Sequence, residues 1–295
     1  MEYIVETLLP AGEIHILAGA SAAGKTTLLF QFIQAWRRGK PILGFKSEPA
    51  PICYIGGDRR GNAYERLEQR LGVDPIPFIS VIDACRESEV CPKIDLAWLS
   101  KMLTYFNPEP EVLFLDPLDL FIGVTNFNDK HQVATGMVRL AQWLGERTAI
   151  CMLHPAKVRE NAQFLDIFDM ISGSHSLQAY CSTRAFLVRH DKHHDGQSCL
   201  YIRGQDFPEH QVALSIDENG AFAVQSIHSD WNTIETLLRR FPPGSVETAT
   251  LVNLMTEDGA ASRSSTFRAL SALAKSGKIT KLEHGLWTRL NIAKR

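Results

Sequence analysis

The residues from Gly19 to Thr26 read Gly-Ala-Ser-Ala-Ala-Gly-Lys-Thr, the spacing of a complete glycine-rich phosphate-binding loop, or P-loop. The two glycines let the backbone wrap closely around phosphate groups, and amide N–H groups at the start of the next helix donate hydrogen bonds to them. The spacing predicts that Lys25 reaches the β- and γ-phosphates of ATP and that Thr26 ligates Mg²⁺. The predicted nucleotide-binding set is Gly19, Ala20, Ser21, Ala22, Ala23, Gly24, Lys25, Thr26 and Thr27.

Two acidic residues end apolar runs that have the composition of buried strands. Asp116 ends the run 111–115, as in a Walker B strand whose carboxylate holds Mg²⁺ through water. Pro117 follows it, so the attacking water needs a partner other than a glutamate at that position. Asp58 ends the run 52–57, and we expect this strand to lie beside the P-loop strand, with Asp58 as general base or water-positioning residue. The alternatives are structural: Asp116 as a capping residue and Asp58 as the start of a turn.

A third polar residue, His154, follows the apolar run 148–153. A side chain at the end of that strand can donate a hydrogen bond to the γ-phosphate and transmit hydrolysis to the loop beyond. It can equally be a hydrogen-bonded histidine at the edge of the core. The predicted catalytic set is therefore Lys25, Asp58, Asp116 and His154.

The elements that position these residues alternate in type through the first 228 residues. Short apolar runs alternate with longer amphipathic ones, which favours an α/β fold with a mostly parallel sheet covered by helices on both faces. The predicted strands are residues 14–18, 52–55, 78–82, 112–116, 149–153, 183–189 and 198–203. The later strands, with a turn signal at residues 217–220, indicate an antiparallel extension. The predicted helices are residues 25–38, 62–71, 96–106, 130–147 and part of 162–171.

Composition is that of a soluble globular protein, with 45% hydrophobic and 22% charged residues. No apolar run is long enough to span a bilayer, and the first residues lack the basic and apolar parts of a signal peptide. The six cysteines are scattered without a Cys-x-x-Cys pair, which predicts reduced thiols and a cytoplasmic location.

Charge and pattern both change at residues 226–229, which predicts two domains, residues 1–228 and residues 229–295. The second carries ten Lys and Arg against six Asp and Glu, whereas the first carries twenty-one against twenty-seven. A basic tail on an acidic body indicates a nucleic-acid partner.

The tail pattern is three helices, at residues 231–241, 248–257 and 262–276, followed by a hairpin at 277–282 and 285–290. This order resembles a winged helix-turn-helix, whose third helix can enter the major groove of duplex DNA. The third helix is predicted to bury Phe267, Leu270 and Leu273. The candidate DNA contacts are Arg263, Ser264, Ser265, Arg268 and Lys281. The alternative is a module that binds a protein, such as another replication protein.

In this order the motifs resemble the RecA-like ATPases of the plasmid replication helicase RepA group and, more distantly, the DnaB-type helicase motor. The resemblance covers about residues 7–205, and its matching stretches are residues 9–14, 54–58, 116–118, 128–129, 153–157 and 172–174. It implies a RecA-like core that forms a homo-oligomeric ring, commonly a hexamer, with ATP between subunits. It also implies that loops around residues 123–131 and 155–174 contact single-stranded DNA.

Two positions depart from that family. It usually has glutamate, one methylene longer, where Asp58 stands, and a shorter acid would slow hydrolysis or move the water. The family also supplies a basic finger to the neighbouring subunit's γ-phosphate. The candidates here are Arg189 and Lys192, although the Lys-x-Arg spacing of the family is not clean. Three histidines between residues 190 and 194 share a polar turn without a further ligand, which argues against a metal site.

Three functions fit these features to different extents. The first is a DNA-dependent motor, a helicase-like ATPase in the replication of a phage, plasmid or other mobile element. The second is a non-translocating loader or an ATP-gated DNA-binding switch, which the shorter acid and irregular finger favour. A small-molecule kinase is the weakest, because the sequence shows no lid segment with paired arginines.

Overall fold

The computed structural model describes residues 2–289, with gaps at 59, 88–94, 125, 128, 155–166, 172–176, 178, 190–197, 206, 208, 230–236, 238–239, 243–244, 257–262, 276–278 and 283–284. The chain forms two compact units. The first comprises Met1–Phe207 and Val212–Gln225, and the second Pro208–Gln211 and Ser226–Arg295.

A nine-stranded sheet organises the first unit, preceded by a short antiparallel pair, β1 (Tyr3–Val5) and β2 (Leu9–Pro10). Its strands are β3 (Ile14–Gly19), β4 (Ile52–Gly56), β5 (Phe78–Ser80), β6 (Val112–Asp116), β7 (Thr148–Leu153), β8 (Thr183–Arg189), β9 (Ser198–Gly204), β10 (His210–Ile216) and β11 (Phe222–Ser229). Their order across the sheet is β5-β4-β6-β7-β3-β8-β9-β10-β11. The strands from β5 to β8 pair in parallel, and β9 pairs antiparallel with β8. The mostly parallel sheet and its antiparallel extension are confirmed.

Helices cover both faces of this sheet. They are α1 (Lys25–Arg37), α2 (Gly61–Leu71), α3 (Val81–Glu87), α4 (Leu96–Leu103), α5 (Leu118–Ile122) and α6 (Lys130–Leu144), with a 3₁₀ turn at Ile167–Met170. Apolar residues of α4, α5 and α6 join strand residues in one large core. On the opposite face, α1 places Phe30 against Tyr54 and Trp36 against Phe114, both edge to face. No helix among the described residues is long and apolar enough to cross a membrane.

The ends of three predicted elements need correction. The strand predicted through residue 82 ends at Ser80, because α3 begins at Val81. The helix predicted through residue 147 ends at Leu144, where Gly145 adopts a left-handed φ of +61°. The helix predicted through residue 106 ends at Leu103.

The second unit combines helices with a small antiparallel sheet. Its described elements are β12 (Ser245–Glu247), α7 (Thr248–Thr256), α8 (Arg263–Lys275), β13 (Ile279–Lys281) and β14 (Leu286–Arg289), in the sheet order β12-β14-β13. The buried core includes Leu237, Phe241, Leu251, Met255, Leu270, Leu273, Ile279 and Trp287. The sequence did not predict β12, because three residues carry too little alternation to be recognised.

Phe267 was predicted to face inward on α8, and this is wrong. Its side chain is 42% exposed, while Thr266 and Ala269 are fully buried. The buried face of the helix therefore runs through Thr266, Ala269, Leu270 and Leu273, an i, i+3, i+4, i+7 pattern. Phe267 lies beside that face and packs near the Arg263 guanidinium, which is 6.0 Å from its ring centroid.

His15 on β3 makes the stability of the first unit depend on pH. The ring is buried, its Nε2 lies 3.0 Å from the Pro10 carbonyl, and its Nδ1 has no hydrogen-bond partner among the described residues. Burial lowers the pKa of His15 from 6.5 to about 4. Between these values the unfolded chain binds a proton that the folded chain does not, so the contribution present above pH 6.5 is lost as the pH falls towards 4.

We expect the free energy of unfolding to decrease over that interval by at most about 3.5 kcal/mol, at about 1.4 kcal/mol for each pH unit. Urea denaturation of the native chain and of His15→Gln, at half-unit pH steps, measures this. The variant loses that part of the slope, whereas His131→Gln at an exposed position of α6 keeps it. An unchanged slope in His15→Gln would contradict the assignment.

Candidate nucleotide-binding site

The P-loop lies between the end of β3 at Gly19 and the start of α1 at Lys25. Gly24 has a φ of +98°, and a Cβ atom there would lie 2.7 Å from the ring of Phe222. A Cβ atom on Gly19 would lie 2.7 Å from the carbonyl oxygen of Leu187 on the neighbouring strand β8. Close packing on both sides of the loop therefore requires glycine at both positions.

A cavity of about 570 Å³ lies over this loop. Besides the loop residues 21–27, its lining contains acidic, basic and apolar groups from several elements. The charged and polar lining residues are Asp58, Arg66, Arg70, Asp116, His154 and Arg189, and the others are Ala63, Leu67, Met152, Ile216, Gly220 and Phe222. The structure thus brings Lys25, Asp58, Asp116 and His154 to one cavity.

Strand direction explains why these distant residues meet. Strands β3, β7, β6 and β4 are parallel, so their carboxyl ends lie at one edge of the sheet, where ligands of open α/β sheets bind. Asp116 is the last residue of β6, and His154 follows β7 directly. Asp58 lies two residues beyond β4, whose Gly56 pairs with Asp116.

The strand order corrects one premise of the Asp58 prediction. Strand β4 is not the neighbour of β3, because β7 and β6 lie between them. After α1 the chain forms β4 three strand positions away from β3, and β6 and β7 later occupy the two positions between them. Asp58 still lines the P-loop cavity, because all four strands end at the same edge.

Lys25 is held inside the site despite its charge. Its Nζ donates to the carbonyl oxygens of Gly19, at 2.7 Å, and Ala20, at 3.1 Å, and lies 3.3 Å from Nδ1 of His154. An ammonium group only donates hydrogen bonds, so Nδ1 of His154 accepts in this contact. The proton of a neutral His154 is then on Nε2, the tautomer that is able to donate to a phosphate oxygen.

Each of the two acids receives a hydrogen bond from a tyrosine. The Tyr54 hydroxyl donates to Oδ2 of Asp116, and the Tyr64 hydroxyl donates to Oδ1 of Asp58 at 3.1 Å. Asp116 is only 3% exposed, whereas Asp58 is open to solvent. Burial, reinforced by the negative charge of Asp116, raises the pKa of Tyr54 well above its ordinary value of 10. Tyr54 therefore stays protonated and remains a donor at neutral pH.

The residues of this site fit a magnesium ion. The Thr26 hydroxyl and the Asp116 carboxylate line the same cavity, and both offer the oxygen ligands that Mg²⁺ prefers. The hydrogen bond from Tyr54 to Oδ2 orients the Asp116 carboxylate that would hold the ion. Mg²⁺ usually takes one or two protein ligands and completes its shell with phosphate oxygens and water.

Of the two candidates for the basic finger, the structure describes Arg189 but not Lys192. Arg189, the last residue of β8, lines the cavity of its own subunit, and its guanidinium lies 3.5 Å from the carbonyl oxygen of Ala22. Lys192 and the three histidines at residues 190–194 lie outside the described residues, as do residues 155–157 and 172–174. In the other predicted DNA loop, Asp129 caps α6 by accepting from the N–H groups of His131 and Gln132.

One wall of the cavity was not predicted from the sequence. Arg66 and Arg70, one turn apart on α2, line it together with Ile216, Gly220 and Phe222 of the β10–β11 hairpin. Gln31 of α1 holds this hairpin, because its side chain both accepts from the N–H of Phe222, at 2.8 Å, and donates to its carbonyl, at 3.1 Å. The i, i+4 arginine spacing on α2 was the only local signal for this wall.

The candidate DNA contacts lie on α8 and β13 of the second unit. Arg263, at the start of α8, is exposed, and so is Lys281, whose Nζ lies 5.8 Å from the ring centroid of Trp287. Ser264, Ser265 and Arg268 belong to α8, but their side chains lie outside the described part of the chain.

Comparison with known proteins agrees with this architecture. The sequence pattern of the AAA domain family matches residues 1–160, more than half of the chain. A KaiC-like protein from the hyperthermophilic archaeon Pyrococcus horikoshii OT3 aligns with a TM-score of 0.51 and 15% identity, over 76% of this chain and 94% of its own. The flagellar accessory protein FlaH from Methanocaldococcus jannaschii aligns with a TM-score of 0.43 and 13% identity, over 74% of this chain and 91% of its own. No curated protein sequence is similar enough to count as a match. The first likeness confirms the predicted RecA-like P-loop fold.

We predict that the Phe222 ring packs against the bound nucleotide. Phe222→Ala should weaken ATP binding about tenfold, because stacking of a base on an aromatic ring contributes about 1–3 kcal/mol. Titration of a fluorescent ATP analogue measures the change. Val224→Ala is the matched control, since Val224 lies on the same strand and is exposed. Equal affinities in the two variants would show that this wall does not contact the nucleotide.

Proposed function

We propose that this chain, which belongs to the AAA domain family, is a RecA-like ATPase that forms a ring and acts on DNA in the replication of a mobile element. The observation that carries the proposal is the convergence of Lys25, Asp58, Asp116 and His154 on the P-loop cavity. Hydrolysis of a nucleoside triphosphate needs a cation for the phosphates, an acid for the metal and an acid for the water. All three line the same cavity, as Lys25, Asp116 and Asp58.

In the proposed reaction the P-loop amides and Lys25 bind the β- and γ-phosphates. Thr26 and Asp116 hold Mg²⁺, which when bound neutralises charge on the phosphate oxygens. Asp58 orients a water whose oxygen attacks the γ-phosphorus, and it accepts the proton that this water releases. The bond between the γ-phosphorus and the bridging oxygen breaks, so that ADP and phosphate form. The Nε2–H of His154 donates to the γ-phosphate and responds to its loss.

The proposed ring places ATP between copies of the chain. It is supported by the resemblance of the motifs to replicative helicase motors, in which a neighbour supplies a basic finger. Arg189 and Lys192 are the candidates for that role. Arg189 already lies beside the P-loop of its own subunit, which supports a phosphate contact within the same chain as well.

The second unit is proposed to be a winged helix-turn-helix that binds duplex DNA. Its order of strand, two helices and hairpin supports this, as does the exposed Arg263 at the start of α8. Ser264, Ser265, Arg268 and Lys281 are the further proposed contacts. Single-stranded DNA is the proposed ligand of the ring. A replication protein is the alternative partner of the second unit.

A second function, a non-translocating loader or ATP-gated switch, is favoured by Asp58 itself. Its carboxylate is one methylene shorter than the usual glutamate, and Tyr64 already engages one of its oxygens. Both features are compatible with slow hydrolysis, which suits a switch better than a motor.

Steady-state ATP hydrolysis with and without single-stranded DNA separates the two functions. A motor shows strong stimulation by DNA, and a switch shows a basal rate indifferent to DNA together with ATP-dependent oligomerisation.

Lys25→Ala should weaken ATP binding at least tenfold, since charge-assisted hydrogen bonds contribute about 1.5–3 kcal/mol. Asp58→Ala should abolish turnover but retain binding. Lys101→Ala and Glu65→Gln, at exposed positions, are the matched controls. Normal binding and turnover in Lys25→Ala would refute the site.

The double variant Arg263→Ala, Arg268→Ala should weaken binding to duplex DNA. Loss of two phosphate contacts reduces the slope of log affinity against log salt concentration by about two. Fluorescence anisotropy over a salt series measures this slope. The charge-matched control is Lys46→Ala with Lys101→Ala in the first unit, which leaves the slope unchanged. If both double variants bind DNA like the native chain, the second unit binds a protein instead.

A further inference from the structure

We infer that Tyr54 and Tyr64 are positioning residues for the two acids of the ATPase site. Each hydroxyl donates a hydrogen bond to one oxygen of one carboxylate and so sets the orientation of that carboxylate. The inference rests on the proposed hydrolysis of ATP. It extends that proposal, because neither tyrosine belongs to the P-loop or to the Walker B strand.

Tyr54 reaches Asp116 across the sheet. It lies on β4, fully buried, and β4 pairs with β6 so that Tyr54 is opposite Phe114 and Gly56 is opposite Asp116. Side chains of one strand alternate between faces, so Tyr54 and Asp116 share the face on which α1 packs. The Tyr54 hydroxyl donates to Oδ2 of Asp116. A buried carboxylate without hydrogen-bond donors is costly, so this bond stabilises the side chain of Asp116 in its position.

Tyr64 reaches Asp58 from the helix that follows β4. It lies on α2 with 1% exposure, and its hydroxyl donates to Oδ1 of Asp58 at 3.1 Å. The Tyr64 hydroxyl lies directly against Gly56, so a Cβ atom at this position would overlap the hydroxyl oxygen. Glycine at this position is therefore required by the path of the tyrosine and not by a turn, since Gly56 is an ordinary strand residue.

Ring packing fixes both hydroxyls. The centroids of Tyr54 and Tyr64 are 5.2 Å apart in an edge-to-face contact, and Phe30 of α1 lies 5.3 Å from the first and 6.0 Å from the second. We call these three residues the aromatic cluster. Phe30 is part of the helix that begins at Lys25, so the cluster connects the phosphate-binding end of the site to both acids.

The cluster has a chemical consequence for each acid. At Asp58, the bond from Tyr64 sets the orientation of the carboxylate that would position the attacking water. At Asp116, the bond from Tyr54 sets the orientation of the carboxylate that would hold Mg²⁺. Misplacement of either carboxylate therefore affects turnover or metal dependence, and not the contacts of the P-loop with the phosphates.

The first test uses Tyr64→Phe in the full chain, which keeps the ring and removes only the hydroxyl. We expect kcat to fall about five- to tenfold, the value of one hydrogen bond, while KM and the Kd for ATP stay within twofold. Tyr105→Phe, at a 71% exposed position, is the control. An unchanged kcat in a hydrolysing protein, or equal losses in kcat, Kd and thermal stability, would overturn the role of Tyr64.

The second test does not require turnover. In Tyr54→Phe, the Mg²⁺ concentration needed for half-maximal binding of a fluorescent ATP analogue should rise about tenfold, while binding without Mg²⁺ is unchanged. A wild-type Mg²⁺ dependence in this variant would overturn the role of Tyr54. If the native chain binds Mg²⁺ and ATP without hydrolysing it, the proposed function fails, and the Mg²⁺ dependence of Tyr54→Phe still decides the inference.

Discussion

The placement of β3 between β7 and β8 is the constraint on which the rest of the site depends. Ala18 pairs with Leu153 on one side and with Phe186 on the other, so the chain segments that follow all three strands leave the sheet at the same level. The P-loop, His154 and Arg189 therefore meet without any further adjustment. A slip of one residue in either pairing would turn the side chains of β3 to the opposite faces and move His15 into the other core.

The acids of the site depend on a second constraint, the cost of burying charge. Asp116 lies at the end of a fully buried strand, where an ionised carboxylate needs hydrogen-bond donors or cations. Tyr54 supplies a donor that cannot ionise at neutral pH. Lys25 is also buried, and the carbonyl oxygens of Gly19 and Ala20 compensate for its lost hydration. Neutral dipoles thus stabilise both charges before phosphate or metal contributes.

The parts of the fold and site that could be predicted from the sequence are those with local signals. The P-loop, the Asp116 strand and the alternation of strands with helices are each contained in a short segment. Strand order is not local, so the expected neighbourhood of β3 and β4 was wrong although both strands were located correctly. Likewise Phe222 joins the cavity through contacts with residues about two hundred positions earlier, which no spacing in the sequence reveals. Phe267 was misplaced because a shift of one residue in a helix turns a side chain by about 100°.

Two hydrogen bonds between the Gln31 side chain and the Phe222 backbone hold one wall of the nucleotide cavity, although the two residues are 191 positions apart in sequence. During synthesis the chain leaves the ribosome from its amino end, so the P-loop is exposed long before the hairpin that covers it exists. A nascent chain that stops short of β11 has the phosphate loop and its lysine but lacks one wall of the pocket. The complete nucleotide pocket therefore cannot form until synthesis has passed Phe222.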